Sequence, residues 1–142
     1  MSVSFHNQSI RFTLKNKSIL RKWIESTASA EGFITGDIAY VFCTDEELLD
    51  INIRHLNHDT YTDIITFDYT EDALISGDIF ISIDRVKENA AKFKTSFENE
   101  LQRVMIHGVL HLCGYKDKTR AQSELMRSKE NTALKRLARL MP

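Results

Sequence analysis

At 142 residues, with a single proline and 42% apolar residues, the chain has the size and composition of one domain, 1–142, with one real core. A formal net charge of −1 argues against a general nucleic-acid binder, and no apolar run approaches the length needed to cross a bilayer. Cys43 and Cys113, with no signal peptide ahead of them, read as thiols of a reducing compartment, so a cytoplasmic protein is expected.

The charge is unevenly spread. Residues 45–100 hold fourteen acidic and five basic side chains, about −9, whereas residues 114–142 hold eight basic and three acidic, about +5. Lys15, Lys17, Arg21 and Lys22 form a further basic group near the N-terminus. The basic third is either a surface for an acidic partner or a set of solvated helix faces.

Residues 3–5 and 10–14 alternate apolar and polar side chains around the turn-like His6-Asn7-Gln8-Ser9, which predicts two short strands or one interrupted strand. Ser18 is placed to cap a helix carrying Ile19, Leu20, Trp23, Ile24 and Ala28 and ending before Gly32. The β-branched and aromatic run 38–43 predicts a central strand. Thr44-Asp45-Glu46-Glu47 is a capping box for a helix reaching about Leu56, after which Asn57-His58-Asp59-Thr60 breaks the period.

Strands are predicted at 62–67 and, opened by Gly77-Asp78, at 79–83. Asp84 is a candidate cap for a helix with Val86, Ala90 and Phe93, and Thr95-x-x-Glu98 for the next, whose buried face is Leu101, Val104, Met105 and Leu112. Thr119-x-x-Gln122 opens the last helix, with Leu125, Met126, Ala133, Leu137 and Leu140 in period. Strands early and in the middle followed by a helical last third predict an α/β (α+β) fold. Its small mixed sheet has helices packed on it, one of them carrying the histidines of the C-terminal third.

Those histidines, His107 and His111, lie four apart, about 40° around a helix axis and roughly 6 Å along it, so they can share one ion. On a continuing helix Asp117 would sit roughly 15 Å beyond His107 and out of reach. Gly114 can end the helix in the left-handed conformation and turn the chain back, which makes Asp117 a credible third ligand. The spacing matches the HxxxHxxGxxH/D layout of zinc proteases, and three ligands with an open fourth position is the catalytic arrangement for zinc. Gly108, however, stands where those proteases carry their general-base glutamate. A base would have to come from elsewhere, with Asp63 and Asp78 as candidates, each equally explicable as a turn or cap partner. Cys113 points away from the metal while the helix lasts and is not counted a ligand.

The stretch His107-Gly108-Val109-Leu110-His111-Leu112-Cys113-Gly114-Tyr115 resembles the HGxLHLxGYDH motif of the YbeY family of endoribonucleases. Thr62-Asp63-Ile64-Ile65-Thr66-Phe67 is similar to that family's TDVLSF, and Gly77-Asp78-Ile79 to its GDI. The resemblance implies a zinc-dependent, single-strand-directed endoribonuclease that matures small-subunit (16S) ribosomal RNA and takes part in ribosome quality control. It also implies one Zn2+ ion, and ribosomal RNA, the small subunit and its assembly factors as partners.

Two positions depart from the family. Asp117, preceded by Lys116, replaces the usual third histidine, which keeps a normal zinc ligand and lowers the charge of ion plus ligands by one. Leu56 stands where many members carry an arginine, with Arg54 nearby but rotated by about 200° on a helix. Lys116 and Lys118 are candidate phosphate contacts or ordinary loop charges. Tyr61, Tyr69 and Tyr115 are candidate base-stacking platforms or core residues. Two other readings compete: a non-catalytic, zinc-containing ribosome-assembly factor, and a peptidase with a distant base.

Overall fold

The computed structural model describes residues 2–142. The strand expected at 38–43 is central and longer: β2, Ile34–Cys43, pairs in parallel with β1, Val3–Asn7, on one side and with β4, Leu74–Ser82, on the other. β3, Ile64–Asp68, joins the far edge of β4 antiparallel, giving a mixed sheet of order β1-β2-β4-β3. The helices are α1, Lys17–Ala30; α2, Asp45–Leu56; α3, Ile83–Lys92; α4, Phe97–Leu112; and α5, Arg120–Leu140. No helix among the described residues is long and apolar enough to cross a membrane.

Alternation along the strands divides the core. Ile38, Tyr40, Phe42, Ile79 and Ile81 face the main cluster with Trp23, Ile24, Met105, Ile106 and Val109 of the helices. Phe80, between Ile79 and Ile81, points the other way and packs beside Leu48 of α2, Cys43 and Ile65. Two buried side-chain bonds tie the layers: the Trp23 indole N–H donates to the Ala133 carbonyl at 2.7 Å, and the Tyr40 hydroxyl to the Met105 carbonyl at 2.8 Å. The second fixes α4 to the sheet two residues before His107.

Gly108 sets how close α4 comes. A Cβ there would lie 3.0 Å from Ile79 Cδ1 and 3.1 Å from Ile64 Cδ1, tighter than ordinary van der Waals contact. The glycine that removes the protease base therefore also lets the histidine helix press onto β3 and β4.

Several local expectations are corrected. Residues 10–14 form no strand; Ile10, Phe12 and Leu14 give their side chains to the core instead, with Phe12 edge-on to Phe42 and Phe97. α1 begins one residue before Ser18, after Asn16 in the left-handed conformation with φ 61°. The α3 cap is Ser82, whose hydroxyl accepts from Arg85 N–H, while Asp84 accepts from the Asp45 N–H of α2. Ser96 caps α4 in place of Thr95, because its hydroxyl is the one in reach of the Asn99 N–H. The two boxes at Thr44–Glu47 and Thr119–Gln122 form as expected. Phe93, Leu125 and Leu140 are exposed, so the apolar stripes of α3 and α5 are narrower than their periodicity implied. β4 also starts earlier, at Leu74, and ends at Ser82.

Candidate metal centre

α4 carries His107 and His111 on the face beside β3, and ends at Leu112 with Cys113 and Gly114 turning the chain. Gly114 has φ +97°, a region open to glycine, and its N–H donates to the His111 carbonyl while that of Tyr115 donates to Leu110. The chain doubles back, and Asp117 returns to the histidines.

Asp117 Oδ2 lies 3.1 Å from His107 Nε2 and 3.4 Å from His111 Nε2, and the two Nε2 atoms are 2.9 Å apart. Donor atoms around a tetrahedral ion at the usual zinc bond lengths are separated by roughly 3.3 Å, so this triangle has the size one ion requires. The second nitrogen of each ring is already committed. His111 Nδ1–H donates to the Tyr115 carbonyl at 2.9 Å, and His107 Nδ1–H to Glu130 Oε2 at 2.6 Å. A carbonyl and a carboxylate only accept, so both rings present their Nε2 lone pairs to the same point. Two lone pairs and a carboxylate oxygen crowded together are a donor set that a cation satisfies, and the three side chains could hold one.

Glu130, on α5, is 5% exposed and was not singled out from the sequence. Its other oxygen is 3.0 Å from Arg103, which also donates to Asn131. Burial works to raise the Glu130 carboxyl, but the bonds from His107 and Arg103 outweigh it and hold the group below its ordinary value. Burial pulls the His107 ring down, and Glu130 together with Asp117 and Asp63 outweighs it, so the net shift is upward. The signal in the sequence was a carboxylate at position 130 within the buried series Met126, Ala133, Leu137.

The returning loop is anchored from behind. The Tyr115 hydroxyl donates to Glu31 at the end of α1, and Lys129 Nζ of α5 lies 3.0 Å from the same carboxylate. Tyr115 is thus committed at both its hydroxyl and its carbonyl. Tyr61 donates to Glu46 beneath the Arg85 guanidinium, and Tyr69 donates to Asp78. Cys113 packs against the main core, its thiol pushed up to about 12 by burial.

Two depressions meet at the triad. A groove of about 800 Å³ runs along β3 and is lined by Asn52, Leu56, Thr62, Tyr115, Lys116 and Lys118. A smaller cavity of about 260 Å³ opens between α4 and α5. Asp63, Ile64, His107 and Asp117 line both. Of the two candidate bases the fold brings Asp63 to the site, its carboxyl raised by burial, and leaves Asp78 bonded to Tyr69. Arg54 pairs with Asp50 and lines neither cavity, so it does not stand in for the arginine replaced by Leu56.

A family model described as Endoribonuclease YbeY matches residues 2–138. The chain is 48% identical over 134 residues to an endoribonuclease YbeY of Parabacteroides distasonis, covering 94% of each chain. It is 53% identical over 133 residues to one of Flavobacterium psychrophilum, again covering 94% of each. The solution structure of a Thermotoga maritima protein aligns over 95% of this chain and 88% of that one, with a TM-score of 0.64 at 26% identity. With that match across nearly its whole length, and the histidines, glycine turn and carboxylate assembled as described, the chain belongs to the endoribonuclease YbeY family.

Proposed function

We propose that this chain is a metal-dependent endoribonuclease of one domain that takes part in ribosomal RNA processing. It holds a single ion, zinc in the first instance, through His107, His111 and Asp117. The observation that carries this reading is the place of the triad at the junction of two depressions. A strand can approach from one side and leave on the other, which internal cleavage requires and end-directed trimming does not.

A bound divalent ion supplies Lewis acidity toward a phosphoryl oxygen and toward water. The chain supplies the rest. Glu130 and the Tyr115 carbonyl hold the two rings in one tautomer and orientation, so nothing must reorganise when the substrate arrives. Lys116 and Lys118, on the groove wall, hold the phosphates that flank the scissile one as point charges. Asp63 is the one carboxylate besides Asp117 on the wall common to both depressions, and is the group we assign to accept or return a proton at its side-chain oxygen. Single-stranded segments are the substrate we assign, because their splayed bases can enter the depressions beside the triad. We place the activity in the cytoplasm, on small-subunit (16S) ribosomal RNA and in ribosome quality control, with the small subunit and its assembly factors as partners.

Neither competitor is favoured. The chain has glycine, not glutamate, after the first histidine, where a Cβ would already crowd Ile79 and Ile64, and the relatives are named as endoribonucleases rather than as assembly factors. The test is cleavage of a single-stranded RNA and of the same sequence in a duplex by metal-loaded protein. Internal cuts in the single strand, lost in His111→Ala and absent from the duplex, are expected; equal survival of RNA with wild type and variant would end the nuclease reading.

A further inference from the structure

The smaller cavity shares His107, Asp117, Asp63 and Glu130 with the metal centre and also carries side chains that the cleavage chemistry does not use. Glu100, Arg103, Val104 and His107 line it from one face of α4, and Ser123, Met126, Arg127 and Glu130 from one face of α5. Glu100 is only 6% exposed as a residue, and its carboxylate lines the cavity without a hydrogen bond or ion pair to any described residue. Its oxygens therefore face the cavity, where a ligand's donors can take the place of water. Val104, Met126 and Ile64 supply apolar walls, whereas Arg127 and Ser123 are exposed at the mouth.

We propose that this cavity is a base-recognition subsite for a guanine next to the scissile phosphate, with Glu100 as its specificity-determining residue. The inference rests on the nuclease reading for its biological setting. An ionised carboxylate only accepts, and it is best met by two adjacent donors. Guanine alone among the four RNA bases offers that pair on its Watson–Crick edge, at N1–H and the 2-amino group. Adenine and cytosine each set one donor beside an acceptor, and uracil sets its single N–H between two acceptors. The apolar side chains of Val104, Met126 and Ile64 take the faces of the ring, and Arg127 at the mouth meets the nucleotide's phosphate. The volume, about 260 Å³, lies just below the usual range for pockets that take drug-sized ligands and suits one base. Burial, and then the negative charge of Asp63, raise the Glu100 carboxyl against the opposing charges of Arg103 and Arg127, so the ionised form gains from a ligand that brings donors.

The test titrates the full chain with guanosine, adenosine, cytidine, uridine and inosine 5′-monophosphates, and maps cleavage of a single-stranded RNA containing one guanosine. Guanosine monophosphate is expected to bind about tenfold more tightly than the adenine, cytosine and uracil nucleotides. Inosine monophosphate, which keeps N1–H and lacks the 2-amino group, falls between. In Glu100→Gln, a change of nearly equal volume, the guanine preference collapses while binding of the other nucleotides is retained. Equal affinity for all five in the wild type overturns the proposal, as does a guanine preference that survives Glu100→Gln. A guanine preference in a protein that cuts no RNA upholds the subsite and removes the nuclease reading. Cleavage without regard to the guanosine removes the subsite and leaves the nuclease reading standing.

Discussion

His107 Nδ1 lies 2.6 Å from a carboxylate oxygen of Glu130, a residue of a different helix that the metal motif does not contain. The bond joins the metal helix α4 to α5 and decides which ring nitrogen faces the ion. Glu130→Gln keeps the shape but weakens the acceptor, and is expected to lower metal affinity by about ten- to a hundredfold. Competition with a chromophoric chelator measures this. Arg103→Ala should have a smaller effect in the same direction, because Arg103 acts on the ring only through Glu130.

Gly108 invites the substitution that would complete a protease motif. A glutamate there would drive its Cβ into Ile79 and Ile64, so Gly108→Glu is expected to cost about 2 kcal/mol or more and to confer no peptidase activity. Urea denaturation and cleavage of an unstructured peptide check the two halves. Unchanged stability would show that α4 does not sit as tightly on the sheet as described.

The anchor behind the loop carries a pH dependence. Burial works to raise the Glu31 carboxyl, but the bonds from Tyr115 and Lys129 prevail and lower it. A carboxyl depressed in the folded state stabilises above its unfolded value, near 4.5, and that contribution is lost as pH falls through the folded value. The stability difference between wild type and Glu31→Gln should therefore be present at pH 7, roughly 1 kcal/mol for so partly exposed a group, and shrink as pH falls below the unfolded value and through the lower folded one. Paired denaturation curves across that range measure it.

Leu56 lines the groove and is 43% exposed, so a longer side chain there has somewhere to go. Leu56→Arg is expected to tighten single-stranded RNA binding at low salt and to steepen the dependence of log affinity on log salt by roughly one. Lys118→Ala should flatten it by about the same amount. Fluorescence anisotropy over a salt series reads both slopes.

Much of this arrangement could be read from local chemistry. The spacing of His107 and His111 follows from helical period, and the return of Asp117 from the freedom of Gly114, both being properties of a few consecutive residues. The β-branched run in β2 likewise announced a central strand. Glu130 and Glu100 were not legible, because a carboxylate in a helical sequence gives no sign of whether it meets solvent or a neighbouring helix until the helices are packed. The cap at Ser96 was missed because Thr95 and Ser96 are adjacent hydroxyl residues and only the geometry of the preceding turn selects between them. Residues 10–14 misled for a similar reason: their alternation suits a strand, but their apolar side chains are taken up by contacts with Phe42 and Phe97.

The triad itself is tested most directly by the metal content of the purified chain, measured by elemental analysis on wild type, His111→Ala and Asp117→Ala with folding checked by circular dichroism. The expected result is one divalent ion per wild-type chain and a marked loss in both variants. A folded wild type that takes up no metal, or variants that retain it in full, would contradict the assignment of His107, His111 and Asp117 as the centre on which the proposed activity depends.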